Sequence, residues 1–161
     1  MLLYVEDDER SMRTGLRLIG PDVIVRSARS VTEALERLGD KLPCAALIDV
    51  ELPEGQFAGL ELLRKLRTMS PTLPVGIMTG RLDPVVINAA LVLNADMIGK
   101  PAGPEVFTKF VLKIPSLPEA ARLRHQRTER DLGIATHHAP STPVHPLGVH
   151  AGIDLSALKH R

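Results

Sequence analysis

Between residues 1 and 114 the chain alternates, five times over, between a short apolar run and a longer amphipathic one. LLYV (2–5) precedes SMRTGLRLI, where Met12, Leu16 and Ile19 fall at helical spacing. VIVRSA (23–28) precedes SVTEALERLGD, with Ala34, Leu35 and Leu38 on one face and Gly39 placed as a stop. CAALIDV (44–50) is nearly continuous in apolar character, as a strand covered on both faces must be, and GLELLRKLRTM (59–69) follows it. PVGIMTG (74–80) leads to PVVINAALVLNA (84–95), with a proline in its first turn. DMIG (96–99) leads to PEVFTKFVLKI (104–114). This order restricts the chain to an α/β fold, because parallel strands need crossover connections and the crossover helices cover both faces of the sheet. The spacing predicts a (βα)5 doubly wound parallel sheet over 1–114, a helical extension over 115–132 and a flexible tail over 133–161.

The core of such a sheet must be aliphatic, since 44% of the residues are apolar but only 2% are aromatic. A net charge of +1 excludes a grossly basic nucleic-acid protein and an acidic tail protein. A single cysteine, Cys44, excludes an internal disulfide and a cysteine-only metal site, and it fits a reducing compartment. No apolar run approaches the ~20 residues that cross a bilayer, and the start MLLYVEDD is too short and acidic for a signal peptide. A cytoplasmic location without membrane contact is the expectation.

Beyond residue 115 the composition shifts. All six histidines lie there, with Pro140, Pro143 and Pro146. Ser116-x-x-Glu119 matches a capping box and predicts a helix from about 117 to 131. Its apolar positions stop early and Arg122, Arg124, Arg127 and Arg130 follow, so a solvated helix is expected. The run is short and lacks aromatics, so nucleic acid is not the expected partner. Only His137 and His138 are adjacent, a spacing that supports no metal site.

Ligands of doubly wound sheets bind outside the carboxyl ends of the strands. Those ends carry Glu6-Asp7-Asp8, Asp49, Thr79-Gly80 and Lys100-Pro101. Singly, each is an ordinary solvated loop residue. Together, carboxylates suit a hard oxygen-seeking cation, while an ammonium and a hydroxyl suit a phosphoryl group. Alternation along the first strand sends Glu6 and Asp7 to opposite sides, so they are not equivalent. Asp8 and Glu9 lie where the next helix begins, and negative charge there suits its dipole.

VEDD, LIDVELP, MTG and GKP, in this order and spacing, resemble the receiver domain of two-component response regulators. The resemblance covers residues 1–114 and implies a flavodoxin-like sheet of order 2-1-3-4-5. It implies a phosphoacceptor rather than a turnover enzyme, taking a phosphoryl group from a histidine kinase or histidine phosphotransfer protein, with Mg²⁺. By position, Asp49 matches the phosphoacceptor, Asp7 the main metal carboxylate and Glu6 its assistant. Glu51 matches the position whose backbone carbonyl completes the metal site. Thr79 matches the switch hydroxyl, Gly80 the small residue after it, and Lys100 the lysine that pairs with the phosphoryl group. The Lys100–Pro101 bond matches the family's cis peptide.

The chain departs from the family at Met97, where the second switch residue is usually aromatic. The loop LPEGQFAG is about two residues longer than usual, and Ala58 replaces an aspartate. Glu51 and Arg81 match side chains that overhang the site and tune hydrolysis, so an acid facing a base there predicts slow loss of the phosphoryl group. The fourth helix has no charged residue. With Val106, Phe107, Phe110, Val111 and Ile114 of the fifth it predicts an apolar contact surface for a homodimer or partner. Two other readings stand beside this one: a phosphatase-like enzyme with Asp49 as nucleophile, and a transcription regulator whose basic tail touches DNA.

Overall fold

The computed structural model describes residues 1–134. The elements are β1 (Leu2–Val5), α1 (Glu9–Ile19), β2 (Val25–Ala28), α2 (Val31–Leu38), β3 (Ala45–Asp49), α3 (Ala58–Met69), β4 (Val75–Thr79), α4 (Pro84–Val92), β5 (Asp96–Gly99), α5 (Pro104–Val111) and α6 (Glu119–Asp131). All pairings are parallel and the strand order is β2-β1-β3-β4-β5. The sheet is the one the sequence predicts, with element ends moved by a few residues. The tail from 135 onward, with His137 and His138, lies outside the described residues.

Strand alternation divides the core in two. Leu3 and Val5 of β1, Ala46 and Ile48 of β3, and Val75 and Ile77 of β4 face the side covered by α2, α3 and α4. Leu2, Tyr4, Leu47, Met78 and Ile98 face the side covered by α1 and α5. Tyr4, the single tyrosine, is fully buried on that second side. A side chain at position 15 would strike its ring, since an ideal Cβ at Gly15 would fall 2.2 Å from the hydroxyl. Gly15 therefore admits the ring under α1, and the phenol donates to the Ser11 carbonyl at 3.2 Å.

Helix starts follow local chemistry. Asp8 caps α1 by accepting from the Ser11 N–H at 2.7 Å, and Ser30 caps α2 by accepting from Glu33 N–H at 3.0 Å. The capping box expected at Ser116 does not form: Pro118 occupies the N-cap position of α6 and no side chain bonds there. The residue before a proline is driven to extended backbone, so Leu117 cannot join a helix and α6 begins only after Pro118.

The expectation of a solvated tail helix also fails. α6 packs on α5 and buries Ala121, His125 and Glu129, while Leu117 and Ala121 enter the second core cluster. Arg124 pairs with Asp22. The His125 ring bridges α1 and α5. Its Nε2 lies 3.0 Å from the Ile19 carbonyl, which only accepts, so Nε2 carries the hydrogen. Nδ1 is then free to accept from the Thr108 hydroxyl at 3.2 Å. The neutral ring is fully satisfied. Burial, and after it the Arg124 charge, depress its pKa below the ordinary 6.5, against the Ile19 bond that raises it.

A depressed histidine pKa means that the folded state binds fewer protons than the unfolded one. The stability it supports is complete above pH 6.5 and is lost as pH falls below it. Thermal melts of the wild type and His125→Gln across pH 5 to 8 should show the wild type losing ground only at the acid end. A gap that stays constant over that range contradicts this account of α6.

Candidate functional site

Parallel register brings the predicted residues to one rim. Val5 pairs with Ile48, Asp49 with Met78, and Thr79 with Gly99. Glu6, Asp49, Thr79 and Lys100 therefore emerge at one edge. The Asp49 backbone is held between neighbours: Val50 N–H donates to the Met78 carbonyl at 3.0 Å, and Gly59 N–H to the Val50 carbonyl at 3.0 Å. A Cβ at Gly59 would fall 1.9 Å from the Asp49 carbonyl oxygen. Only glycine lets α3 start this close to the strand end.

Glu6 is 1% exposed, Asp49 6%, and Asp7 is exposed. The two acids expected to be inequivalent are so: Glu6 turns inward and Asp7 outward. One carboxylate oxygen from each of Glu6, Asp7 and Asp49 lies within 4.8 Å of the others. Lys100 Nζ lies between two of them, 2.6 Å from Asp49 Oδ2 and 2.6 Å from Glu6 Oε2. The first contact is a hydrogen bond. The second is off the hydrogen-bond direction, which leaves Glu6 Oε2 buried beside a charge but without a donor. Burial pushes Glu6 up to about 7, and the Asp49 charge adds to this, while Lys100 pulls the other way. Burial alone would lower the Lys100 ammonium, but the hydrogen bond to Asp49 and the close Glu6 carboxylate hold it above its ordinary value.

Three carboxylates facing one ammonium leave negative charge uncompensated. The donor set is all oxygen and partly open, in a cleft of about 520 Å³ lined also by Glu51 and Arg81. Such a set fits Mg²⁺, which takes one or two carboxylates and keeps waters in its remaining positions.

Thr79 is 5% exposed and faces the loop after β4, not the carboxylates. Its hydroxyl donates to the Arg81 carbonyl at 2.9 Å and accepts from the Arg81 N–H at 3.1 Å. Around Gly80 there is open space: an added Cβ would meet nothing within 4 Å. Arg81 Nη2 and Glu51 Oε1 pair at 2.8 Å across the mouth. Both are more than half exposed, so the pair contributes at most ~1 kcal/mol. The Lys100–Pro101 bond is cis. Met97 is half-buried on β5, paired in register with Ile77.

The loop after β3 closes with a Leu52–Gly55 bridge and is tied to α2 by Glu54, which accepts from Thr32 N–H at 3.0 Å. Sequence reasoning missed that tie, and it missed Tyr4 beneath the site. A lone tyrosine in an aliphatic strand, with a glycine inside the helix that follows, was the available signal.

The fold is a doubly wound parallel α/β sheet whose carboxyl rim gathers three acids, a lysine and a threonine. Residues 2–112 match the family model described as response regulator receiver domain, and the chain belongs to that family. It is 36% identical over 81 residues to the response regulator MprA of Mycobacterium ulcerans, covering 49% of this chain and 34% of that one. It is 34% identical over 84 residues to the DNA-binding transcriptional regulator NtrC of Escherichia coli, covering 51% and 18%. The matches thus span about a third or less of these curated relatives. Among solved structures, a putative response regulator from Chloroflexus aurantiacus superposes with a TM-score of 0.60 at 32% identity, over 70% of this chain and 94% of that one. A CheY-like receiver domain protein from Methanospirillum hungatei gives 0.60 at 22% identity, over 81% and 96%, and shows the fold alone. No helix among the described residues is long and apolar enough to cross a membrane.

Gly59→Ala should push α3 off the Asp49 carbonyl and cost about 1–3 kcal/mol, as overpacked sites do. Urea unfolding checks this, and a loss indistinguishable from zero contradicts the close approach.

Proposed function

We propose that Asp49 accepts a phosphoryl group from a phosphohistidine on a histidine kinase or histidine phosphotransfer protein. The observation that carries this reading is Asp49, nearly buried at a strand end, bonded to Lys100 and clustered with Glu6 and Asp7. An Asp49 oxygen attacks phosphorus as the P–N bond to the partner's imidazole breaks and its electron pair returns to the ring. Lys100 is placed to follow the charge from the Asp49 carboxylate onto the phosphoryl oxygens. Asp7 and Asp49, with Glu6 assisting and the Glu51 backbone carbonyl, would hold Mg²⁺, which supplies counter-charge to the phosphoryl oxygens when bound.

The product adds nearly two negative charges and new acceptor oxygens at Asp49. Thr79 turns toward them only by giving up its two bonds to Arg81. Two neutral bonds are worth ~0.5–1.5 kcal/mol each and one charge-assisted bond ~1.5–3. The threonine alone therefore roughly breaks even. The Gly80 N–H must join it before the population shifts, since a 1:99 to 99:1 change needs ~5.5 kcal/mol. Release of Arg81 transmits the event to α4.

α4 and its lead-in expose Leu82, Val85, Leu91 and Val92, an apolar face suited to a partner or a second copy. The contribution expected from the fifth helix is corrected. Phe107, Phe110, Val111 and Ile114 are buried in the core that α6 closes and Val106 is partly buried against it, so the surface narrows to α4.

Two arrangements bear on the other readings. Glu51, the acid that a phosphatase would need for proton transfer, is paired with Arg81. Two of the four tail-helix arginines are paired within the chain, Arg124 with Asp22 and Arg127 with Asp131.

Incubation with phosphoramidate and Mg²⁺ should give one acyl phosphate in the wild type and none in Asp49→Asn, read by intact mass. Equal labelling of the two would overturn the assignment. The Glu51–Arg81 pair should slow water attack, so Arg81→Ala should shorten the phosphoryl lifetime several-fold. An unchanged lifetime means the pair gates nothing.

A further inference from the structure

The geometry points to Arg67 as the clamp that fixes one end of α4, so that the helix responds to Thr79 by pivoting about its C-terminus instead of shifting as a whole. The pivot rests on the phosphoryl reading above. The clamp does not.

α4 is weakly anchored along its length. It has no charged residue and buries only Val86, Ala89 and Ala90, side chains of modest area. Its ends must hold it. At the N-terminus Asp83 accepts from the Val85 N–H at 2.8 Å, and the cap follows directly from the Thr79–Arg81 turn. At the C-terminus the chain reverses through Asn94, whose φ of 49° is left-handed, with Ala95 N–H donating to the Ala90 carbonyl at 2.8 Å. This Schellman-type ending satisfies some terminal carbonyls and leaves others without a partner.

Arg67 of α3 supplies the missing donors. Its Nε donates to the Leu93 carbonyl at 2.6 Å and its Nη2 to the Asn94 carbonyl at 2.7 Å. Its Nη1 donates to the Leu73 carbonyl at 2.5 Å, in the segment entering β4. One planar fork thus joins α3, the base of β4 and the end of α4, and its charge sits at the negative end of the α4 dipole. The guanidinium is half-buried, and Leu66 beside it is fully buried, so the clamp is rooted in the core. The two ends of α4 therefore differ. One hangs on a turn that Thr79 must break to reach the phosphoryl group, and the other is held by two charge-assisted bonds that this event does not touch. A helix held in this way swings at its free end, which carries Leu82 and Val85.

Hydrogen exchange on the full chain tests this with beryllofluoride and Mg²⁺ as the phosphoryl mimic. In the wild type, the mimic should change exchange at residues 79–88 and leave 91–96 unchanged. Arg67→Ala should raise exchange at 91–96 about tenfold or more without the mimic, and should let the mimic's effect spread to that end. Arg67→Lys keeps the charge but not the fork, and should fall between them if the alanine variant folds poorly. Unchanged exchange at 91–96 in both variants overturns the clamp. A mimic effect spread evenly along wild-type α4 overturns the pivot. No mimic effect anywhere counts against the phosphoryl reading and the pivot with it, while the comparison without mimic still decides the clamp.

Discussion

The Lys100 ammonium, 2.6 Å from both the Asp49 and Glu6 carboxylates, is the contact on which the rim depends. Glu6 is buried and close to Asp49, and the ammonium between them offsets the repulsion of the two carboxylates. The position of the lysine is set by the sheet. Lys100 N–H donates to the Thr79 carbonyl at 2.7 Å, so the register of β4 and β5 aims its side chain back across the rim. One positive charge stands against three carboxylates, a donor set that fits a divalent cation. In the proposed transfer the same ammonium serves the phosphoryl oxygens. For the proposed transfer the resting site is thus already charged and ordered, which leaves little reorganisation to the reaction.

The β/α order could be read from the sequence because each element is locally consistent: near-continuous apolar strands, helical spacing between them, and Gly or Pro at the boundaries. The site residues could be read because parallel strands put their carboxyl ends at one edge, so position along the chain predicts position in space. The missed features share a different property. Tyr4 and Gly15 are eleven positions apart and fit only through packing. His125 sits in a charged stretch that reads as a solvated helix, and its partners Ile19 and Thr108 are on other elements. Arg67 looks like an ordinary basic residue in the last turn of α3, and its three acceptors are backbone carbonyls, which no sequence pattern marks. The failed capping box at Ser116 shows the opposite case. The motif was present, but Pro118 two positions on forbade the backbone it needs.

In the proposed response these long-range contacts decide what moves. Position 97 on β5 is a methionine, so the response proposed here does not use an aromatic ring at that place. It has instead a threonine tied to the loop before α4 and a helix with few anchors of its own. Elements that must move are drawn from the weakly held end of a structure, and α4 meets that description. On the opposite face α6 closes the core over α1 and α5, so the aromatics of α5 stabilise the fold and are not offered as a surface.

Calorimetric titration of Mg²⁺ into the wild type and Lys100→Met at pH 8 tests the central claim most directly. If the ammonium is the resident counter-ion among Glu6, Asp7 and Asp49, its removal raises the negative charge of the site and Mg²⁺ binds several-fold more tightly. Equal or weaker binding by Lys100→Met would contradict that account of the rim.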